Sequence, residues 1–467
     1  MILNPFKPVF RWLDSNLNAP DFEPQFVTER DDAPGVNPSD YRSVACDAIY
    51  DGYGLINPGH ETLEVVVCYT VRNIQGDPNN QNDWDVAVTA LQWLDPVGTN
   101  FWEQEPLRTD FMFPNYSSGI YWYETPDQTI GTREQLDEFN PDIAYDFSNG
   151  DVYLVYSNAE DNHINIRLKY RRYDRLTSSY SREYYAQTKN PPYDMTNGYD
   201  PSIDVGLITY PPGLQTLRTV AIGWTSQWGY FADGTGPQTG FHVNVTTWPT
   251  ELGDMDHPTS FSLDNPELYP DGSAIKFNSA GLPSVDIAPA QNALRGACLT
   301  YTQELRPDGF GMRTQVYVVR FLGALTDLDH HIRVGPSALD DDASLIYDDG
   351  MYSSIGLWRT DNETNVRASV SYMSQHDHDN VLTFRAARVN LSTGAVENEF
   401  FADEQSQIIG NWNYSDIPFL NPGISSALVV DTGNPPFLNN YWAAWCVRTE
   451  MEPPPDIVRA AWGNTAN

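Results

Sequence analysis

Short apolar runs recur along this chain of 467 residues, and an alternating apolar and polar segment follows each of them. The apolar runs lie at 63–70, 152–156, 219–224, 296–301, 367–372 and 441–446. The alternating segments lie at 85–91, 164–170, 242–246, 315–320, 382–388 and 456–461. A continuous apolar run of this length is typical of a fully buried strand, whereas a period of two is typical of a half-buried strand. The pattern predicts pairs of neighbouring β-strands, and no convincing helical period accompanies them.

A four-residue phrase precedes each apolar run. It reads PDIA at 141–144, PSID at 201–204 and PSVD at 283–286, with weaker copies at 42–45, 353–356 and 422–425. Self-similarity at a spacing of tens of residues indicates a repeat architecture. The spacings between copies give each repeat room for a four-stranded sheet and its loops.

Six strand-rich repeats without helices to cover their edges resemble a six-bladed β-propeller. The resemblance implies an all-β fold of four-stranded antiparallel sheets over residues 42–467, with blades starting near residues 42, 141, 201, 283, 353 and 422. Residues 1–41 form an N-terminal extension, and we expect its segment 23–29 to close the ring as the outer strand of the last blade. Residues 111–139 are either a long loop or a degenerate seventh blade.

The chain carries 27 basic and 63 acidic residues, a net charge of −36. Such a surface repels phosphate backbones and anionic membrane surfaces, so nucleic acid is not an expected partner. Neutral glycans, protein surfaces and divalent cations remain possible partners. No apolar run approaches the ~20 residues of a membrane helix, and residues 1–20 lack the apolar core of a secretory signal. An extracellular location, or one on the surface of a larger particle, therefore requires a removed leader or release by another route.

Cys46, Cys68, Cys298 and Cys446 all lie in apolar strand-like runs without metal-binding spacing. Buried free thiols are the expected state. The alternative is a disulfide between Cys46 and Cys68, which could lie on neighbouring strands.

The phrase predicts rings of side chains, because the first strand of each blade lines the central channel of a propeller. Alternate residues of a strand share one face, so the phrase's second and fourth positions, and the position two beyond, fall on one side. The candidate channel-lining residues are Asp47, Asp142, Asp146, Ser202, Ser284, Ser354 and Ser425.

Two carboxylate pairs on adjacent blades stand out, Asp204 with Asp286 and Asp47 with Asp146. If the protein is an enzyme, Asp204 and Asp286 are the candidate catalytic pair of a glycosidase, flanking a sugar bond. The alternative is hydrogen bonding to water and strand ends, or to a channel cation. The blade signature of sialidases, Ser-x-Asp-x-Gly-x-Thr-Trp, occurs in no repeat, and neither does a Gly-x-Ser-x-Gly elbow.

A calcium site is the second candidate. Side-chain oxygens alternate along one segment at Asp77, Asn79, Gln81, Asp83 and Asp85. Ca²⁺ takes six to eight such hard oxygen ligands. An ordinary solvated hairpin tip is the alternative interpretation.

Aromatic clusters around Trp122, Trp228 and Trp412 are the third candidate. Aromatic rings stack on sugar faces and anchor protein interfaces, but they also fill the wedge between blades. The combined expectation is a non-enzymatic propeller that recognises a glycan or protein, or forms part of a larger particle such as a virion. A glycoside hydrolase or polysaccharide lyase is the alternative.

Overall fold

The computed structural model describes the strands named below and one short 3-10 helix, together with residues 146, 149–151, 186, 197, 263, 287, 331, 391, 393 and 394. The chain divides into an N-terminal unit, residues 1–185, and a C-terminal unit, residues 186–467. Each unit is described by itself.

The N-terminal unit contains a two-stranded pair and two four-stranded antiparallel sheets. The pair joins β1 (Val9–Phe10) to β2 (Gln25–Phe26). Sheet 1 consists of β3 (Tyr41–Asp51), β4 (Thr62–Arg72), β5 (Trp84–Leu94) and β6 (Arg108–Asp110). Sheet 2 consists of β7 (Glu138–Tyr145), β8 (Val152–Glu160), β9 (His163–Arg171) and β10 (Tyr184–Tyr185).

The C-terminal unit contains four antiparallel sheets. Sheet 3 consists of β11 (Gly198–Tyr210), β12 (Gln215–Gly229), β13 (Gln238–Pro249) and β14 (Ser260–Ser262), with the 3-10 helix Thr250–Leu252 after β13. Sheet 4 consists of β15 (Ala280–Asp286), β16 (Ala297–Leu305), β17 (Arg313–Leu322), β18 (Leu325–Thr326) and β19 (Ile332–Gly335), the last two both pairing with β17. Sheet 5 consists of β20 (Asp349–Arg359), β21 (Val366–Gln375), β22 (Leu382–Asn390) and β23 (Ala395–Asp403). Sheet 6 consists of β24 (Ser425–Ala427), β25 (Asn440–Arg448) and β26 (Asp456–Asn464).

The predicted fold class is confirmed: the described part of the chain is nearly all β, and its consecutive strands form antiparallel sheets, mostly of four strands, in the blade pattern of a β-propeller. Within the N-terminal unit, β3 packs against β7, and within the C-terminal unit β11, β15, β20 and β24 pack in succession. The segment expected to close the ring contributes Gln25–Phe26 to the pair with β1. Its pairing with the last sheet stays a prediction. Most of the segment 111–139 lies outside the described residues.

The hydrophobic core lies in the seams between neighbouring sheets. One apolar cluster fills the seam between sheets 1 and 2, another that between sheets 3 and 4, and a third that between sheets 4 and 5. The second strand of a sheet contributes to both faces, and Val220, Ala221, Ile222 and Trp224 of β12 are all fully buried. A strand covered on both sides reads as a continuous apolar run, which is why these runs were recognisable in the sequence.

The first strands of sheets 1 to 5 each contain a β-bulge near their beginning. Two bulges hold a residue in the left-handed region just before a proline, Asn140 at φ 49° and Asp200 at φ 48°. Asn and Asp tolerate this region better than other side chains. The bulge therefore explains why an Asn or Asp precedes the phrase in sheets 2 and 3.

The strand register corrects the alignment of the first and last repeats. In sheets 2 to 5 the fourth residue of the phrase pairs with the residue three before the aromatic of the second strand, as Asp204 pairs with Ala221 before Trp224. By the same rule Asp47, opposite Val66, is the fourth position in sheet 1, and Ser425, opposite Ala444, is the second position in sheet 6. The sequence alignment was wrong by two residues in both repeats. A shift of two keeps a residue on the same face, so composition alone could not reveal it.

Candidate functional site

The first strands carry a hydrogen-bonded clasp between neighbouring sheets. The Oδ2 atom of Asp204 accepts the backbone N–H of Ile287 at 2.5 Å, and Oδ2 of Asp286 accepts that of Leu357 at 2.6 Å. In the N-terminal unit, Oδ2 of Asp47 accepts the N–H of Tyr145 at 2.7 Å. Each of the three aspartates is the fourth residue of its phrase. Each donor is the residue that directly follows the phrase of the next sheet. The repeat therefore encodes a contact between sheets.

The serine at the second position of the phrase accepts a second hydrogen bond from the next sheet. Ser202 Oγ accepts the N–H of Val285 at 3.1 Å, and Ser284 Oγ accepts the N–H of Ile355 at 3.4 Å. Each donor lies on a first strand, which has a sheet neighbour on one side only. Amides on the open edge of a strand need partners when they are covered by protein. The serine and aspartate of the preceding sheet provide these partners.

Asp204 and Asp286 are brought together, as the sequence suggested. Burial, the charge of Asp286 and a hydrogen bond between the two carboxyl groups hold the pKa of Asp204 well above its ordinary value, although the N–H groups of Ile287 and Val205 oppose this shift. Both residues keep part of their surface accessible. Glycosidase carboxyl groups stand about 5–5.5 Å apart in retaining enzymes and farther apart in inverting ones. A direct hydrogen bond is closer than either, so the geometry favours the strand-end interpretation of this pair.

Asp47 and Asp146 take different places in the N-terminal unit. Asp47 lies in the clasp, whereas Asp146 follows β7 in the turn to β8, where its N–H donates to the carbonyl of Asp151 at 2.8 Å. Asp142 accepts the N–H of the adjacent Ile143 at 3.0 Å. Ser354 is buried, with 8% of its surface exposed. Lining of a channel by these residues stays a prediction.

A buried carboxyl group that the sequence did not single out lies at the bulge of sheet 2. Glu138 is 3% exposed, and its Oε1 accepts the side-chain N–H of Asn158 at 2.9 Å. Sheets 3 and 4 carry Gly198 and Ala280 at the corresponding position, three residues before the phrase. The only signal in the sequence was an acidic residue where other repeats have a small one.

The metal and aromatic candidates fall largely outside the described residues. Residues 77–83, Trp122 and Trp412 are outside them, while Asp85 lies on β5 and Trp228 on β12. Ser425 lies on β24. Among the described residues, no group of three or more His, Cys, Asp or Glu is placed to hold a metal ion. No helix in this part of the chain is long and apolar enough to span a membrane.

The cysteines are free where the structure describes them. Cys68 and Cys298 are buried, as expected, but Cys46 is exposed, which corrects the expectation for that residue. Cys68 lies opposite Ala45, so Cys46 and Cys68 point to opposite faces of sheet 1 and do not form a disulfide. Burial raises the pKa of the Cys298 thiol to about 12, which keeps it protonated.

Comparison with known proteins gives likeness in structure only. No family model matches the chain, and no curated protein matches it. A Hadza microbial sialidase is similar with a TM-score of 0.43 and 12% identity, over 91% of this chain and 66% of the sialidase. An exo-1,5-α-L-arabinanase from a bovine ruminal metagenomic library has a TM-score of 0.34 and 10% identity, over 78% and 97% of the two chains. An endo-arabinase from Bacteroides thetaiotaomicron has a TM-score of 0.33 and 11% identity, over 70% and 94%.

Proposed function

We propose that this chain is a recognition module that binds a neutral glycan on a β-propeller scaffold. The observation that carries the proposal is the use of the first-strand side chains. Asp47, Asp204 and Asp286 hold backbone amides of the next sheet, so these acidic groups build the scaffold. A scaffold whose acidic groups are engaged in this way is suited to presenting loops to a ligand.

Charge and aromatic content support the choice of a glycan. A net charge of −36 disfavours phosphate-bearing and acidic ligands, whereas neutral sugars carry no charge to be repelled. The sequence also supplies Trp122, Trp228 and Trp412, and a tryptophan ring stacks well on the apolar face of a sugar. We place the protein outside the cell or on a larger particle, such as a virion, where glycans and protein surfaces are met.

A glycan array with the intact protein tests this proposal. We expect binding to neutral glycans, weakened at least tenfold by Trp122→Ala, Trp228→Ala or Trp412→Ala. Asp204→Asn is the matched control, because it changes the clasp and leaves the aromatic residues intact. Absence of binding together with turnover of a polysaccharide would overturn the proposal.

Hydrolysis of a glycosidic bond is the second candidate. On this chain, the raised pKa of Asp204 favours it, because a general acid must hold its proton at a pH where an ordinary aspartate has lost it. The direct contact with Asp286 opposes it. The test is turnover of polysaccharides by Asp204→Asn: retained turnover excludes the pair, and complete loss without a fall in melting temperature supports it.

Calcium binding by the segment from Asp77 to Asp85 is proposed as an accessory to glycan recognition. The support is the alternation of oxygen-bearing side chains in the sequence. If EDTA changes neither the melting temperature nor glycan binding, the calcium proposal fails while the glycan proposal stands.

A further inference from the structure

Three buried hydroxyl groups lie on strands that border the seam between sheets 4 and 5. Thr302 on β16 has no exposed surface, Ser374 on β21 is 1% exposed and Ser353 on β20 is 8% exposed. None of the three has a hydrogen-bond partner in the structure. Buried polar groups are almost always hydrogen-bonded, so three such hydroxyl groups on one seam require an explanation.

The strand pattern places the three side chains on the same seam. Thr302, Ser353 and Ser374 each lie an even number of residues from a member of one apolar cluster, namely Cys298, Ile355 and Tyr372. Residues two apart share a face in a regular strand, so Thr302 and Ser374 point into the seam that this cluster fills, and Ser353 lies in the bulge of β20 two residues before Ile355. The register agrees: Thr302 pairs with Val316, and Val316 pairs with Gly335, against which the hydroxyl of Tyr372 lies.

The phrase explains why these groups gather at this seam. Sheets 2, 3 and 4 begin the phrase with Pro141, Pro201 and Pro283, whereas sheet 5 begins it with Ser353. Proline has neither an N–H nor a side-chain hydroxyl group. The clasp below it uses Asp286 and Ser284, and the next residue on that face is Leu282, which offers no side-chain acceptor. The extra polar groups of Ser353 therefore lie beyond the reach of the clasp.

We propose that this seam binds one buried water molecule, held by the hydroxyl groups of Thr302, Ser353 and Ser374. A buried water typically makes about three hydrogen bonds to polar groups that otherwise lack partners, and hydroxyl groups can both donate and accept. The bulge between Met351 and Ser354 and the small residues Gly350, Ser353 and Ser374 lie at this end of the seam. In sheet 5 the phrase begins with Ser353 instead of proline. There the water adds one contact between sheets 4 and 5 to those made by Ser284 and Asp286.

Substitutions on β16 and β21 test the water site by its effect on stability. We expect Thr302→Val and Ser374→Ala each to lower the melting temperature by about 1–2 °C, because each removes a hydrogen bond from the water. Ser371→Ala is the matched control: Ser371 is also buried without a partner, but it lies on the opposite face of the same strand. Its melting temperature should stay the same or rise, since the change removes a lone buried hydroxyl group.

A high-resolution crystal structure provides the second measurement. We expect a density peak within hydrogen-bond distance of all three hydroxyl oxygens in the wild type, and a weaker peak or none in Thr302→Val. A dry seam in the wild type overturns the proposal. So does a rise in melting temperature for both Thr302→Val and Ser374→Ala, because removing an unsatisfied group from a dry site stabilises the fold.

Discussion

Individual residues of the phrase have separate physical tasks. The proline removes a backbone donor from the open edge of the first strand, and the serine and aspartate accept donors from the next first strand. Because the side chains alternate with a period of two, the serine and aspartate share a face and can act on the same neighbour. The phrase therefore removes or satisfies the backbone donors on the open edge of a first strand.

The raised pKa of Asp204 predicts that the stability of the protein depends on pH. The pKa of Asp204 is raised in the folded protein, so folding favours the protonated form, and the contribution of Asp204 to stability is largest at low pH. Stability should fall as the pH rises from about 4, the ordinary pKa of an aspartate, through the raised pKa. Asp204→Asn keeps an acceptor for the N–H of Ile287 and removes the charge, so its melting temperature should exceed that of the wild type at pH 8 and approach it at pH 4.

Thermal unfolding followed by circular dichroism between pH 4 and 9 measures this difference. Asp204→Ala is the control, because it leaves the N–H of Ile287 without its acceptor and should lower stability by about 1–3 kcal/mol at every pH. A wild type whose advantage over Asp204→Asn grows with pH would contradict the prediction.

At the scale of the element, two glycines determine how closely the first and second strands of sheet 3 approach sheet 4. A Cβ atom at Gly223 would lie 2.6 Å from Leu299 Cδ1 and 3.0 Å from Val285 Cγ2. A Cβ atom at Gly206 would lie 2.6 Å from Ile287 Cγ2. Both glycines therefore permit close packing across the seam between sheets 3 and 4, the seam that carries the Asp204 clasp.

Gly223→Ala should destabilise the protein by about 1–3 kcal/mol, because the added methyl group overpacks this seam. The free energy of unfolding in urea, compared with the wild type, gives the effect. A double-mutant cycle with Leu299→Ala provides the control: the shortened side chain makes room, so the two changes should be less costly together than separately. Strict additivity would show that Leu299 is not the group that clashes.

The sequence revealed some strands of each sheet more clearly than others. The second strands were recognised by their continuous apolar runs, and the third strands by the alternation of apolar and polar residues. In β13 the polar residues Asn244 and Thr246 are buried as well, so alternation there does not mark an exposed face. The fourth strands are mostly short, with β6, β10, β14 and β18 each having only two or three residues. Outer strands bury less surface, so their sequences carry a weaker pattern.

At the scale of the whole molecule, net charge is the dominant quantity. With 63 acidic and 27 basic residues, the folded chain carries strong self-repulsion. Added salt screens this repulsion, and the screening length falls from about 30 Å at 0.01 M to about 3 Å at 1 M.

The melting temperature should therefore rise with NaCl concentration between these limits. CaCl₂ at equal ionic strength is the control, because it separates screening from specific binding: a larger rise with CaCl₂ at low concentration supports the calcium proposal for the segment from Asp77 to Asp85. A melting temperature that falls with NaCl would contradict the role given to self-repulsion.

The sequence by itself determined the fold class and the face on which the phrase presents its serines and aspartates. These follow from local periodicity, which is written in the order of the residues. Only the tertiary structure decided what those side chains do. Ile287 lies 83 residues beyond Asp204, and the hydrogen bond between them exists because two sheets pack side by side. The alignment of the first and last repeats was decided in the same way, since strand register depends on the partner strand as well as on the strand itself.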